Sequence, residues 1–129
     1  MASCLDLDPF HRLRTEHRLQ PREDDGRRPG DLASPLRAGC GDAEYGQAFE
    51  SIVEPAVRSF EPDLLIVSAG FDAGEGEPLG DMRVTEAGFR DLAHRAAGLA
   101  PRVAAVLEGG YDIGRLPGFV AAALEGFNA

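Results

Sequence analysis

The chain has 129 residues, 43% of them hydrophobic, which is enough for one domain of ordinary size with a real core. Its net charge of −9 argues against a nucleic-acid partner, because phosphate contacts need clustered cations. No apolar run reaches the roughly 18 residues of a membrane helix, and the N-terminus lacks the apolar region of a signal peptide, so we expect a cytoplasmic protein without a membrane partner.

The first 34 residues combine charge and turn chemistry without a hydrophobic pattern. The run "RTEHRLQPREDDGRRPGD" shows no sustained period of 3.6 or 2 residues. By itself such a segment cannot bury enough apolar surface to offset chain entropy. We therefore leave residues 1–34 unassigned and predict an irregular segment there, while residues 35–129 form the patterned part of the chain.

The patterned part begins with a predicted helix, in the stretch "DAEYGQAFESIVEPAVRSF". Asp42 suits the N-cap position, and Glu44 lies in the first turn. Apolar residues then recur on one helical face, at Tyr45, Phe49, Ile52, Val53, Ala56, Val57 and Phe60. Pro55 predicts a kink, because it has no N–H to offer the carbonyl four residues back.

Two short apolar runs predict strands that alternate with helices. The run "LLIVS" (residues 64–68) is typical of a parallel strand buried on both faces, and residues 103–107 form a second strand. Thr85 caps the helix between them, and a last helix tolerates Pro117 in its first turn. The order helix, strand, helix, strand, helix predicts an α/β fold with parallel strands.

Polar residues follow both predicted strands, where ligands of parallel sheets bind. Asp72 lies four residues after Ser68, and Tyr111 lies four after Leu107, behind Gly109 and Gly110. A carboxylate can ligate a divalent metal, and a phenol can stabilise an oxyanion, a pair suited to amide hydrolysis. The alternatives are an ordinary turn acid and a tyrosine that only packs against its loop.

The glycine-rich loop "GEGEPLG" gives a weaker signal. It contains G-x-G, but Leu79 stands where a dinucleotide fingerprint has its third glycine, and the surrounding acids suit a phosphate poorly. A nucleotide-binding α/β domain is therefore an alternative that rests on this loop alone.

Two stretches of the sequence resemble a known family. The run "GDAEYGQAFESIVEPAVRSFEPDLLIVSAGFDAGEGEPLGDMRVTEAGF", followed by "VLEGGYDI", is similar to the later part of the histone deacetylase and acetylpolyamine amidohydrolase family. The resemblance covers residues 35–129. It implies part of a three-layer parallel sheet of the arginase and deacetylase type.

The same resemblance implies a zinc-dependent deacetylase acting on acetylated lysine or polyamine. By position in the motifs, Asp72 matches a zinc ligand, and Tyr111 matches the catalytic tyrosine that hydrogen-bonds the substrate carbonyl and its oxyanion. Gly109 and Gly110 match the glycines that shape the substrate pocket.

The chain also departs from the family pattern. The family's zinc site needs a D-x-H motif and its general base a His-His pair, and neither occurs in the 129 residues. After Asp72, the family's Ala-His and Asp-Pro are replaced by Ala73-Gly74 and Glu77-Pro78. A truncated or frame-shifted reading would account for the missing motifs. We therefore expect a fragment that binds zinc weakly or not at all and is not competent alone.

An alternative function, which involves no catalysis, is that of an α/β interaction module. Two strands alone make a poor sheet and leave an unpaired edge, which invites self-association.

Overall fold

The computed structural model describes residues 36–129, so the irregular segment predicted for residues 1–34 lies outside the described residues. The described elements are α1 (Asp42–Ala48), a π-helical segment (Phe49–Val53), α2 (Glu54–Phe60), β1 (Leu65–Ala69), α3 (Glu86–Ala97), β2 (Val103–Leu107) and α4 (Leu116–Phe127). This order confirms the α/β class. In this part of the chain no helix combines the length and apolar character needed to cross a bilayer.

Helix α1 begins differently from the prediction. Its N-cap is Gly41, whose N–H donates to Glu44 Oε2 at 2.9 Å, so Asp42 is the first helical residue. The prediction of Asp42 as N-cap is wrong because its carboxylate has another partner. It accepts hydrogen bonds from the Thr85 N–H at 2.7 Å and the Thr85 hydroxyl at 2.6 Å.

The predicted disruption at Pro55 takes the form of a change in helix type. The π-helical segment ends at Val53, and Pro55 then lies in the first turn of α2. A first-turn proline costs little, because the N–H it lacks would have no partner inside its own helix. The π-helical segment therefore lets one amphipathic stretch continue through a proline.

Strands β1 and β2 pair in parallel, with Leu65 opposite Val103 and Ala69 opposite Leu107. The prediction that the two strands are neighbours is confirmed. The prediction that β1 is buried on both faces is wrong, because Ile66 in β1 is 65% exposed. Val106 in β2 is also exposed, at 54%. These two side chains lie on the same face of the sheet, which no other element among residues 36–129 covers.

The core lies among α3, α4 and the loop that leaves β1. Phe89 is its centre, with ring centroids 4.9 Å from Phe71 and 5.0 Å from Phe119. Thr85 caps α3 as predicted, accepting a hydrogen bond from the Gly88 N–H at 3.3 Å. Because Phe71 belongs to this core, the neighbouring Asp72 is attached to a packed part of the molecule.

Candidate active site

Two loops meet at the carboxyl ends of the paired strands. One loop spans residues 70–84 after β1, and the other spans residues 108–115 after β2. The strand ladder continues into them, because the Glu108 N–H donates to the Ala69 carbonyl at 3.0 Å and the Phe71 N–H donates to the Gly109 carbonyl at 2.8 Å. Asp72 and Tyr111 therefore lie in adjacent loops at the same edge of the sheet.

The carboxylate of Asp72 rests against the backbone of the second loop. A Cβ added to Gly109 would lie 3.0 Å from both Cγ and Oδ2 of Asp72, and one added to Gly70 would lie 3.0 Å from Oδ1. A larger residue at either position would therefore crowd the carboxylate and require it to shift. Asp72 itself is exposed to solvent. Its carboxylate accepts no hydrogen bond from residues 36–129, so its oxygens are available to a ligand.

Tyr111 is held through its main chain. Its N–H donates to Glu77 Oε2 at 2.9 Å and to Oε1 at 3.1 Å, while the phenol-bearing side chain is 55% exposed. Just before it, Gly110 has a φ of +138°, and a Cβ there would lie 2.7 Å from Leu116 Cδ1. The backbone therefore requires glycine at position 110, whereas a role of Gly109 and Gly110 in substrate binding stays a prediction.

Glu77 is a residue of this site that the sequence analysis did not single out. In the sequence it is visible only as the acid that stands in place of the aspartate in the family's Asp-Pro. The structure gives it a defined place: its side chain is 5% exposed and accepts the N–H groups of both Tyr111 and Asp112. The available signal was an acid directly before a proline, inside a loop rich in glycine.

Tyr45 is a second neighbour of Asp72 that the sequence pattern assigned only to an apolar helix face. It comes from α1 and packs against the core. Burial raises the pKa of the Tyr45 hydroxyl above its ordinary value of 10.0, and the negative charge of Asp72 raises it further. Both causes favour the neutral phenol beside the Asp72 carboxylate.

The glycine loop does not have the form of a phosphate cradle. Gly74 is buried against the ring of Phe119, and the next helix, α3, begins only at Glu86. Dinucleotide sites place the glycines directly at a helix N-terminus, so the loop geometry gives no support to the nucleotide-binding alternative.

The donor set of the described residues is too small for a zinc ion. Catalytic zinc takes three protein ligands and a water, drawn from Cys, His, Asp and Glu. Among residues 36–129, no group of three or more such side chains is arranged to hold a metal. Asp72 can supply one carboxylate, and the remaining ligands would have to come from elsewhere.

Comparison with known proteins decides the family. The family model described as "Histone deacetylase domain" matches residues 16–127. The chain belongs to the histone deacetylase family. Histone deacetylase HDA1 of Candida albicans is 41% identical to it over 93 residues, which are 68% of this chain and 11% of that relative.

Solved structures of this family agree with the fold. The chain superimposes on the histone deacetylase Clr3 with a TM-score of 0.68 and 37% identity, covering 70% of this chain and 16% of Clr3. On the HDA15 HD domain it has a TM-score of 0.65 and 37% identity, covering 68% of this chain and 25% of that domain. The chain therefore has the arginase and deacetylase type of fold in part and spans a minor share of each relative.

Proposed function

We propose that residues 35–129 are the C-terminal portion of a zinc-dependent deacetylase domain, and we leave residues 1–34 unassigned. Combined with the rest of such a domain, they would hydrolyse the acetyl-amide of an acetylated lysine or polyamine. In this proposal Asp72 is one zinc ligand, Tyr111 is the catalytic tyrosine, and Gly109 and Gly110 shape the substrate pocket. We also propose a cytoplasmic location for the chain.

One observation carries the proposal: the two loops that bear the family's motifs leave adjacent parallel strands at the same edge. The Phe71 N–H bonds the Gly109 carbonyl at 2.8 Å, which joins the loops directly before Asp72 and before Tyr111. Hydrolysis needs more than this half-site, because zinc requires further ligands and the 129 residues contain neither D-x-H nor His-His. We therefore infer that the chain is not competent alone.

The incompetence is tested on the purified 129-residue chain. We expect zinc well below one equivalent by elemental analysis, and no turnover of acetyl-lysine peptides or acetylpolyamines above buffer. Stoichiometric zinc, together with turnover that Tyr111→Phe abolishes, would show that the chain is a complete enzyme.

The contribution of the site residues is tested in a chimera. In the chimera, residues 36–129 replace the matching quarter of the HDA15 HD domain. The rest of that domain supplies the parts of the active site that this chain lacks. We expect deacetylase turnover that Asp72→Asn and Tyr111→Phe each lower by about a hundredfold or more, in line with the loss of a direct catalytic contact. Glu75→Gln, an exposed acid of the same loop, is the control and keeps turnover. A folded chimera whose turnover survives both site variants contradicts the assigned roles.

The second candidate is a non-catalytic α/β interaction module. It is favoured by the exposed apolar side chains of Ile66 and Val106 on one face of the sheet. In this reading the chain associates with a protein surface, a second copy of itself included. A chain that stays monomeric at every concentration would count against this second candidate.

A further inference from the structure

Hydrogen bonds from its surroundings offset the cost of burying the Glu77 carboxylate. Among the described residues it is the one buried charged side chain, at 5% exposure. A buried carboxylate is costly unless it is paired or fully hydrogen-bonded. No arginine of residues 36–129 pairs with it. Its partners are the main-chain N–H groups of two consecutive residues, Tyr111 and Asp112.

The three contacts form a fork. The Tyr111 N–H reaches Oε2 at 2.9 Å and Oε1 at 3.1 Å, and the Asp112 N–H reaches Oε1 at 3.0 Å. Hydrogen bonds to an ionised acceptor are stronger than neutral ones. Neither N–H has another acceptor in the described part of the chain. Without Glu77, both groups would lose their partner within the protein.

The rest of the second loop is organised just downstream of this fork. The carboxylate of Asp112 accepts hydrogen bonds from the Gly114 N–H at 2.9 Å and the Arg115 N–H at 3.2 Å, which begins the turn into α4. Arg115 in turn donates from Nη1 to the Glu75 carbonyl at 2.8 Å. Tyr111 therefore lies between Gly110, whose φ is +138°, and the turn that the Asp112 carboxylate stabilises.

The fork also connects Tyr111 to Asp72. Glu77 belongs to the same loop as Asp72, five residues further on, and Asp72 itself contacts Gly109 in the second loop. We propose that Glu77 is a positioning residue that holds the Tyr111 main chain in register with Asp72. This inference rests on the proposed function for its catalytic meaning, because Tyr111 is the catalytic residue only in that proposal.

Three variants separate this role from a general contribution to stability. Glu77→Gln keeps the size of the side chain but turns one acceptor into a donor that faces an N–H. Glu77→Asp keeps the charge on a chain one methylene shorter. Glu75→Gln removes the same charge two residues away, at an exposed position of the same loop.

The measurement is amide hydrogen exchange by NMR on the full 129-residue chain, which reports local opening residue by residue. We expect the Tyr111 and Asp112 amides to be protected. Glu77→Gln lowers their protection by about tenfold or more, as expected for hydrogen bonds to a charged group. The Ala93 and Ala123 amides, in α3 and α4, keep theirs. Glu77→Asp restores part of the protection, and Glu75→Gln changes none of it.

Three results overturn the proposal. The first is exchange of the Tyr111 and Asp112 amides at unprotected rates in the unchanged chain, a result that needs no folded variant. The second is an equal loss at Tyr111, Asp112, Ala93 and Ala123 in Glu77→Gln. The third is the same local loss in Glu75→Gln. Because the readout needs neither zinc nor turnover, failure of the deacetylase proposal leaves it unaffected, and the two proposals can fail separately.

Discussion

At the scale of single residues, the site is defined by which side chains leave room for others. The Asp72 carboxylate lies against Gly109 and Gly70 because neither carries a Cβ. On its helix side it faces Tyr45, whose neutral form is favoured by burial and by the Asp72 charge. The result is an acid that lies between a glycine backbone and a phenol and whose oxygens accept no hydrogen bond from the described residues. The proximity of Asp72 and Tyr45 can be tested through the effect of the Asp72 charge on the Tyr45 pKa.

The Tyr45 pKa is expected to respond to the Asp72 charge. Removing a nearby negative charge makes the phenolate less unfavourable, so Asp72→Asn lowers the pKa of Tyr45. Burial remains, so the pKa stays above 10.0. The chain has two tyrosines, and Tyr111→Phe leaves Tyr45 alone to titrate. The measurement is an ultraviolet titration of phenolate in that background.

The matched control for the titration is Asp63→Asn, which removes an exposed charge just before β1. It is expected to leave the Tyr45 curve in place. Equal curves for Asp72→Asn and its Tyr111→Phe parent would mean that the Asp72 charge does not reach Tyr45.

At the scale of elements, the starts of α1 and α3 are joined by one pair of side chains. Asp42 accepts two hydrogen bonds from Thr85, while the Thr85 hydroxyl accepts one from the Gly88 N–H. Thr85 therefore caps its own helix and links it to another. Because the loop with Asp72 and Glu77 ends directly before Thr85, this pair also fixes where that loop returns to the core.

Thr85→Ala is expected to destabilise the chain by about 1–2 kcal/mol, the upper part of the range for a lost N-cap, because the link to Asp42 is lost as well. Thr85→Ser keeps the hydroxyl and should lose clearly less. The measurement is urea unfolding followed by circular dichroism. In a double-mutant cycle with Asp42→Ala, the two effects should be less than additive. Full additivity would mean that the two residues act independently.

The sequence allowed prediction of those elements whose signal is local. Strand β2 and the Thr85 cap follow from a short apolar run and a single hydroxyl residue, and both are where they were predicted. The N-cap of α1 was missed because Asp42 is used by Thr85, which is 43 residues away. The π-helical segment before Pro55 was missed because the apolar spacing on either side fits an ordinary helix.

Only part of the candidate site could be predicted from the sequence. Asp72 and Tyr111 could be located because both follow apolar strands and stand in recognisable motifs. Glu77 could not be assigned a partner, since its fork to Tyr111 spans 34 residues and depends on how two loops meet. Tyr45 was counted as an apolar residue because its spacing fits the helix stripe, and its proximity to Asp72 depends on packing.

At the scale of the whole molecule, the described part of the chain has a sheet with one face uncovered along both strands, and β2 is also exposed on the other face, where Leu107 is 57% exposed. The register places Ile66 opposite Ala104 and Ser68 opposite Val106, so Ile66 and Val106 belong to the uncovered face. Between β1 and the helices lies a largely apolar pocket of about 430 Å³ that is partly open to solvent. Both features fit the proposal that residues 35–129 belong to a larger deacetylase domain.

The uncovered face is expected to drive association of the isolated chain. Because apolar surface gains free energy when it is removed from water, we expect an average mass above that of a monomer that rises with concentration. Ile66→Lys and Val106→Lys should each shift the mass toward the monomer, since burying a lysine in the contact is costly. Light scattering after size exclusion measures this mass across a dilution series.

The matched control is Leu79→Lys, which introduces the same charge at an exposed apolar residue outside the sheet. It should leave the mass of the chain unchanged, because Leu79 lies in the loop after β1. Equal dissociation by all three lysine variants would point to net charge as the cause, not to the sheet face. A monomer at every concentration with a cooperative thermal transition would count against the interaction module, because the uncovered face would then be stable in water.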